Sequence, residues 1–209
     1  MPFPVISEHH PLILASASPR RKRLLAQIKI PFRVMVSDMD EEEMGCEPAV
    51  TCRRLAEEKA KRVYSMAGSS SWILGADTIV VIGNRALGKP QDRSEAREML
   101  HLLSGVAHEV VTGFCVLDPS GEAAHSEAVR TTVYFKPLDE AEIDVYINTG
   151  EPFGKAGGYA IQGIGAFMVE SISGSYTNVV GLPMCAMIKA LISVGALNAF
   201  PVSFINPSA

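Results

Sequence analysis

A short apolar strand that runs directly into a cluster of serines and arginines constrains this sequence more than any other feature. Residues 12–15 read Leu-Ile-Leu-Ala, and they are followed by Ser-Ala-Ser-Pro and by four basic residues at 20–23. The apolar run predicts a buried strand, and the apolar spacing after residue 23 predicts a helix that Ser18 caps and Pro19 begins. The chain therefore opens with a strand, a tight turn that presents free backbone N–H groups, and a helix.

The charge at the start of this helix is the reverse of what a helix N-terminus favours. That end carries a partial positive charge and favours acidic residues, yet its first turn holds Arg20, Arg21, Lys22 and Arg23. Serine hydroxyls, N–H groups and two arginines together make a cradle for a phosphate group. The same residues also fit a basic surface turn with an ordinary serine cap, and the local pattern leaves both interpretations open.

The composition fits one globular domain and argues against several classes of protein. The chain has 209 residues, of which 47% are hydrophobic and 20% charged, and its net charge of −4 argues against a partner that is a nucleic-acid polymer. The four cysteines form no Cys-x-x-Cys motif, which indicates free thiols in a reducing compartment. No signal peptide is predicted, because residues 1–10 contain neither a basic n-region nor a long apolar h-region. No membrane span is predicted, because the apolar region at 179–200 contains Pro183 and Lys189. We therefore expect a cytoplasmic protein without a membrane partner.

Two charged residues occupy positions where charge is unusual. Residues 48–67 read as a helix in which Lys59 lies within an otherwise apolar stripe. It either extends out to solvent or points into a cleft and meets an anion there. The second is Asp77, which with Thr78 interrupts the β-like residues 72–82. An ionised carboxylate there is costly unless it is paired, hydrogen-bonded or metal-bound, although an Asx-turn at a strand end is the alternative.

An acidic run and a glycine-rich loop are the remaining informative segments. The run at 38–43 is either a solvated loop or a source of one metal-binding carboxylate. The loop at 150–165 carries Lys155 and Gln162, and its glycines let a backbone approach a ligand closely. Its spacing matches neither a Walker A loop nor a dinucleotide fingerprint. A strand is predicted to follow from Ala166.

Four short motifs occur in order along the chain: Ser16-Ala-Ser-Pro-Arg-Arg21, Gly75-Ala-Asp-Thr78, Gly88-Lys-Pro90 and Lys155-Ala-Gly-Gly-Tyr-Ala-Ile-Gln-Gly163. Together they resemble the Maf family of nucleoside triphosphate pyrophosphatases, also called septum-formation-inhibitor-like proteins. The resemblance implies an α/β fold of the Maf and ITPase-like kind, in which helices flank a mixed, twisted central sheet and the active cleft lies between two lobes. It also implies a single domain at 12–197, with an extension at 1–11 and a tail at 198–209, and a homodimer.

The resemblance further implies a reaction and a set of site residues. A nucleoside triphosphate is hydrolysed to the monophosphate and pyrophosphate with Mg²⁺ or Mn²⁺, and Asp77 is the expected general base. The metal ligands would be Asp77 together with Glu41 or Glu42 from the acidic run. The residues expected to bind the substrate phosphates are Ser16, Arg20, Arg21, Lys59, Lys89 and Lys155.

Substrate choice is expected to depend on Arg20, Thr78 and Gln162. The Gln162 amide offers one acceptor and one donor, which match the N3–H and O4 groups of uracil and thymine. Guanine presents two adjacent donors that would prefer a carboxylate. The resemblance is therefore to the dTTP/UTP branch, although a flipped amide also leaves CTP and modified pyrimidines open. The alternatives are a pyrophosphatase for 7-methyl-GTP or another modified nucleotide, and a non-catalytic nucleotide sensor that regulates cell division.

Overall fold

The computed structural model of the protein describes residues 3–36, 47–68 and 71–200. Within that part of the chain, the sheet contains β1 (Leu12–Ala15), β2 (Phe32–Val34), β3 (Ile73–Ile82), β4 (Arg85–Leu87), β5 (Ala107–Leu117), β6 (Ala123–Phe135) and β7 (Val169–Ser173). The helices are α1 (Pro19–Gln27), α2 (Pro48–Ala67), α3 (Arg93–Leu103), α4 (Glu140–Asn148), α5 (Tyr176–Val180) and α6 (Met184–Ser193). The expected α/β class is confirmed.

The sheet is mixed, as expected. Its strand order is β2-β1-β3-β5-β6-β7, and β4 also pairs with β3. The pairs β1–β2 and β1–β3 are parallel, whereas the β3–β4, β3–β5, β5–β6 and β6–β7 pairs are antiparallel. Because β5 occupies one edge of β3 along nearly all its length, β1 and β4 share the other edge.

The ends of helix α2 follow from the residues that flank it. The Glu47 carboxylate accepts a hydrogen bond from the Val50 N–H at 3.1 Å, and Pro48 begins the helix, where a missing N–H costs nothing. The helix ends at Gly68, whose φ of 55° is the left-handed conformation that glycine adopts without strain. The predicted bounds of 48–67 are therefore confirmed.

Two hydrophobic cores lie on one face of the sheet, one at each end of β3. Successive residues of a strand point to opposite faces, so Leu74, Ala76, Thr78 and Val80 share a face. Leu74 and Ala76 belong to the core beneath α1 and α6, whereas Val80 belongs to the core beneath α3 and α4. Thr78 lies between the two cores, at the boundary of the two lobes. Helix α2 covers the opposite face, where it packs on β1, β3 and β5.

Two local predictions were wrong. β3 continues through Asp77, which pairs in register with Gly113 of β5, because an ion pair described below compensates the buried carboxylate. The strand predicted from Ala166 begins instead at Val169, after a 3-10 turn at Ile164–Met168. The Ala166 N–H donates to the Gly163 carbonyl at 3.1 Å within this turn and is therefore unavailable to a β ladder.

The first described residues pack against the rest of the domain. The Ile6 side chain is buried in the core beneath α1, and its N–H donates to the Ala196 carbonyl at 2.9 Å. The Trp72 indole donates to the Pro4 carbonyl at 2.8 Å. Among the residues at 3–36, 47–68 and 71–200, no helix combines the length and the apolar character that crossing a bilayer requires.

Candidate active site

A cavity of about 420 Å³ opens at the β3 edge that β1 and β4 share. β1 ends at Ala15, which pairs with Gly75, and the pairing of β4 with β3 begins only at Val80. Residues 76–79 of β3 therefore have no described strand beside them on this edge, and side chains from both faces of β3 reach the opening. The volume lies within the range of about 300–1,000 Å³ that is usual for small-molecule sites.

Arg21 forms a rigid part of the cavity wall. The residue is 8% exposed. Its Nε donates to the Gly181 carbonyl at 2.7 Å, its Nη1 to the Ser16 hydroxyl at 3.1 Å and its Nη2 to the Thr78 hydroxyl at 2.9 Å. The Ser16 hydroxyl also accepts the Ser18 N–H at 3.3 Å. Because these acceptors belong to three separate segments, the planar guanidinium is held in one orientation.

The Thr78 hydroxyl is oriented by a second threonine. The Thr112 hydroxyl donates to the Asn178 carbonyl at 3.0 Å and lies 3.0 Å from the Thr78 hydroxyl. A hydroxyl has one hydrogen, so Thr112 can only accept from Thr78. The hydrogen of Thr78 is therefore committed to Thr112, and its oxygen accepts from Arg21.

Arg20 and Lys155 bring two positive charges to the same wall. Burial lowers the pKa of Arg20, and burial together with the repulsion of Arg20 lowers the pKa of Lys155. The Lys155 ammonium donates to the Glu151 carbonyl. Two neighbouring cations in a partly buried cleft, where burial disfavours both charges, are a favourable environment for an anion between them.

Lys59 and Asp77 form a buried ion pair. The Lys59 Nζ atom lies 2.6 Å from the Asp77 Oδ1 atom, and the side chains are only 14% and 8% exposed. The apolar stripe of α2 therefore directs Lys59 into the cleft, which is one of the two interpretations of the sequence. Such a pair compensates a carboxylate that burial alone would make costly.

Two glycines bring helix α2 close enough to the sheet for this pair to form. A Cβ atom added at Gly75 would lie 2.0 Å from the Ala56 carbonyl oxygen. A Cβ atom added at Gly113, beside Asp77 on β5, would lie 2.3 Å from the Cys52 carbonyl carbon. Both distances are far below ordinary contact, so only glycine permits this approach. Lys59 lies one helical turn after Ala56 and reaches Asp77 as a result.

The loops that carry Lys89 and Lys155 are hydrogen-bonded to each other. The Gly157 N–H donates to the Gly88 carbonyl at 2.9 Å. Gly157 has a φ of 69°, and an added Cβ would lie 3.0 Å from the Val80 methyl carbons. Residues 154–162 therefore lie over the core beneath α3 and α4, and most of them line the cavity together with Lys89.

The described candidate residues all line this one cavity: Ser16, Arg20, Arg21, Lys59, Asp77, Thr78, Lys89, Lys155 and Gln162. The proposed metal ligands Glu41 and Glu42 lie outside the described residues, as do the other members of the acidic run. Among the described residues, no group of three or more His, Cys, Asp or Glu side chains could hold a metal ion. Asp77 is the carboxylate that the described part of the cavity wall contributes.

The sequence was compared with protein families and with known proteins to find its relatives. The family model described as "Maf-like protein" matches residues 11–194. The chain belongs to the Maf family. A Maf relative from Citrifermentans bemidjiense, called dTTP/UTP pyrophosphatase, is 52% identical over 187 residues, which are 89% of this chain and 96% of that protein. A Maf relative of the same name from Geobacter metallireducens is 50% identical over 192 residues, which are 91% and 99% of the two chains.

A solved structure outside these close Maf relatives is also similar in part. The nucleoside-triphosphatase called dITP/XTP pyrophosphatase from Mycobacterium abscessus is 14% identical, with a TM-score of 0.41. The match covers 60% of this chain and 74% of that one.

Several residues that support the site of this Maf protein were missed by sequence reasoning. Thr112 and Gly181 hold Thr78 and Arg21, and Tyr146 and Glu151 hold the loop that carries Gln162. A threonine in a β run and a tyrosine in an amphipathic helix carry no distinguishing local signal. Glu151 does carry a local signal in the sequence, because it is an acidic residue within a glycine-rich loop whose other charged residue is a lysine.

Proposed function

We propose that the chain hydrolyses dTTP and UTP to the nucleoside monophosphate and pyrophosphate. The observation that carries the proposal is the convergence of cations on one cavity beside a buried carboxylate. The cations are Arg20, Arg21, Lys59, Lys89 and Lys155. The names of relatives at about 50% identity support the same reaction. The chain would remove such nucleotides in a house-cleaning role.

The cavity suits displacement at a phosphorus atom. Phosphoryl-type substitution depends on charge neutralisation and positioning rather than on a covalent enzyme intermediate. In the proposed reaction, a water oxygen bonds to the α-phosphorus and the bond to the bridging oxygen of the β-phosphate breaks. Asp77 accepts the proton of the water, and pyrophosphate leaves. Arg21, Lys59 and Lys155 would neutralise the phosphate oxygens.

The donor set fits a divalent cation. Mg²⁺ at nucleotide sites commonly takes one or two carboxylates, and substrate phosphates and water supply the remaining ligands. Lys59 engages Oδ1 of Asp77, and the Asp77 carboxylate would help to hold the metal. A bound Mg²⁺ or Mn²⁺ would supply further charge neutralisation at the phosphates. Glu41 or Glu42 stays the proposed second ligand.

Selection of the base is proposed for Gln162, with Arg20 and Thr78 beside it. Gln162 is exposed at the cavity wall, where its amide can pair with the N3–H and O4 groups of a pyrimidine. Changing Gln162 to glutamate removes the donor that pairs with O4, so we expect kcat/KM for UTP to fall about tenfold or more. Activity on 7-methyl-GTP, measured in the same assay, should rise. A variant with unchanged relative activities would contradict this role.

A panel of nucleoside triphosphates, assayed for pyrophosphate release with Mg²⁺ or Mn²⁺, tests the reaction. We expect dTTP and UTP to be the best substrates, and Asp77→Asn to lose about 10²–10⁴-fold in kcat, the usual range for a general base. The matched control is Asp144→Asn. Asp144 lies on α4 and forms a surface ion pair with Arg97 of α3, so this variant should retain activity.

The panel also separates the alternatives. Preference for 7-methyl-GTP would favour that branch, and tight binding of UTP without pyrophosphate release would favour a nucleotide sensor.

We further propose a homodimer, a cytoplasmic location and domain bounds of 12–197. Light scattering of the purified chain tests the dimer.

A further inference from the structure

The segment that carries Gln162 is fixed by a residue outside the cavity. Residues 149–168 connect α4 to β7 and contain only two short 3-10 turns. A connection of this length would ordinarily be mobile unless its backbone is held. Gln162 is exposed, so packing around its side chain contributes little to its placement. Its position must instead be set by the backbone on either side.

The Glu151 carboxylate holds the backbone that follows Gln162. Its Oε1 atom accepts the Gly165 N–H at 2.8 Å, and its Oε2 atom accepts the Ile164 N–H at 3.0 Å. A Cβ atom added at Gly163 would lie 2.2 Å from Oε2, so the carboxylate lies directly on the backbone of the residue after Gln162. With the carboxylate in this position, residue 163 has no room for a side chain.

Tyr146 extends this hold to the backbone that precedes Gln162. Its hydroxyl donates to the Glu151 Oε1 atom at 3.0 Å and accepts the Ala160 N–H at 3.2 Å. Tyr146 is 1% exposed and is part of the core beneath α3 and α4. One buried side chain thus connects the core to both the Glu151 carboxylate and the residue two positions before Gln162.

Three donors converge on the two oxygens of Glu151, which only a carboxylate can satisfy. Glutamine has one oxygen, and its NH₂ group would face the Ile164 N–H, donor against donor. Burial by itself raises the pKa of Glu151, but the Gly165 and Ile164 N–H groups, the Tyr146 hydroxyl and Lys155 outweigh burial and lower it. The carboxylate is therefore ionised at neutral pH, as three donors require.

We infer that Glu151, acting with Tyr146, is a positioning residue that sets nucleobase recognition by fixing the backbone on both sides of Gln162. The inference rests on the proposed function, because it assigns a structural cause to the pyrimidine preference. Glu151 does not line the cavity and touches no substrate group. The carboxylate therefore acts through the backbone that carries Gln162, and Glu151→Gln retains the main-chain carbonyl that accepts from Lys155.

A double-mutant cycle between Glu151→Gln and Gln162→Ala tests this dependence. We expect each single variant to lower kcat/KM for UTP about tenfold, mostly through KM. The double variant should lose no more activity than Gln162→Ala alone, because a displaced loop has no further effect once the amide is gone. Losses that multiply would overturn the inference. Inhibition by inorganic tripolyphosphate should stay within about twofold of wild type, and an equal loss there would also overturn it.

Two further variants keep the test decisive. Tyr146→Phe removes only a hydroxyl and should show the same dependence on Gln162 with a smaller loss, so it replaces Glu151→Gln if that variant fails to fold. Glu142→Gln is the matched control, since its carboxylate also accepts a backbone N–H, from Asp139 at 3.2 Å, but away from the cavity. It should change kcat/KM less than twofold. A wild-type chain that releases no pyrophosphate contradicts the proposed function alone, and the cycle is then measured in dissociation constants for UTP.

Discussion

The close approach of α2 to β3 at Gly75 provides a direct test of what places Lys59 beside Asp77. In Gly75→Ala, the new methyl group would lie 2.0 Å from the Ala56 carbonyl oxygen and 3.1 Å from the Ala60 Cβ atom. Ordinary contact begins at 3.4 Å, so the helix must retreat by about 1.4 Å. Neither neighbouring atom can rotate away, because one is backbone and the other is a Cβ atom.

The cost follows from two terms. Overpacking of this kind costs about 1–3 kcal/mol. The retreat would lengthen the Lys59 to Asp77 distance from 2.6 Å to about 4.0 Å, beyond hydrogen-bond range, and forfeit a charge-assisted bond that contributes about 1.5–3 kcal/mol. We expect the free energy of unfolding to fall by about 2.5–6 kcal/mol, the sum of the two terms. We expect kcat to fall roughly 10²-fold, the usual effect of displacing a catalytic group by an ångström.

Urea unfolding and pyrophosphate release from UTP measure the two effects. Gly68→Ala is the matched control, since Gly68 ends the same helix with a φ of 55° and an added Cβ meets no described atom within 4 Å. It should cost about 1–2 kcal/mol through left-handed strain and leave kcat within about twofold of wild type. A Gly75→Ala enzyme with wild-type kcat would refute the reasoning, whatever its stability.

Four further outcomes are expected. Burial lowers the pKa of His108 to about 4, so the neutral form stabilises the fold above pH 6.5 and this contribution is lost as the pH falls towards 4. Urea unfolding should show an acid-dependent loss of about 2–3 kcal/mol by pH 4.5 that His108→Gln lacks. Burial raises the pKa values of the Cys52 and Cys115 thiols to about 12, so mass spectrometry should find them unmodified by iodoacetamide at pH 8 unless urea is added, whereas exposed Cys185 reacts. EDTA should abolish pyrophosphate release, and Mg²⁺ or Mn²⁺ should restore it. Hydrogen exchange at the Ile164 amide should be slow without nucleotide, because Glu151 already accepts its N–H.

Three residues of the cavity could be identified from the sequence because each departs from a local rule. Arg21 adds charge to the positive end of a helix, Lys59 interrupts an apolar stripe, and Asp77 lies within an apolar strand. Such departures are costly unless function or a partner compensates them. The compensation itself was not predictable, because the ion pair joins residues on two separate elements. For the same reason, the sequence suggested a break in β3 at Asp77 where the strand in fact continues.

The opening of the cavity also could not be read from the sequence. It depends on where two short strands lie along β3: β1 ends opposite Gly75 and the antiparallel β4 ends opposite Val80. Strand register is set by pairing between distant segments, and no motif marks where the pairing stops. Thr112 was missed for a related reason, since only the three-dimensional arrangement brings its hydroxyl to Thr78.

Two candidate side chains of this site, Lys59 and Gln162, are placed by the backbone beside them more than by their own packing. Lys59 is delivered by the contact of Ala56 with Gly75, and Gln162 by the contact of Gly163 with Glu151. Both contacts need a missing Cβ, and glycine loses more conformational entropy on folding than other residues. The conformational entropy lost in ordering the site is therefore lost when the chain folds, before the substrate binds. Because ordering costs are subtracted from binding energy, a site ordered in advance leaves more of that energy for the transition state.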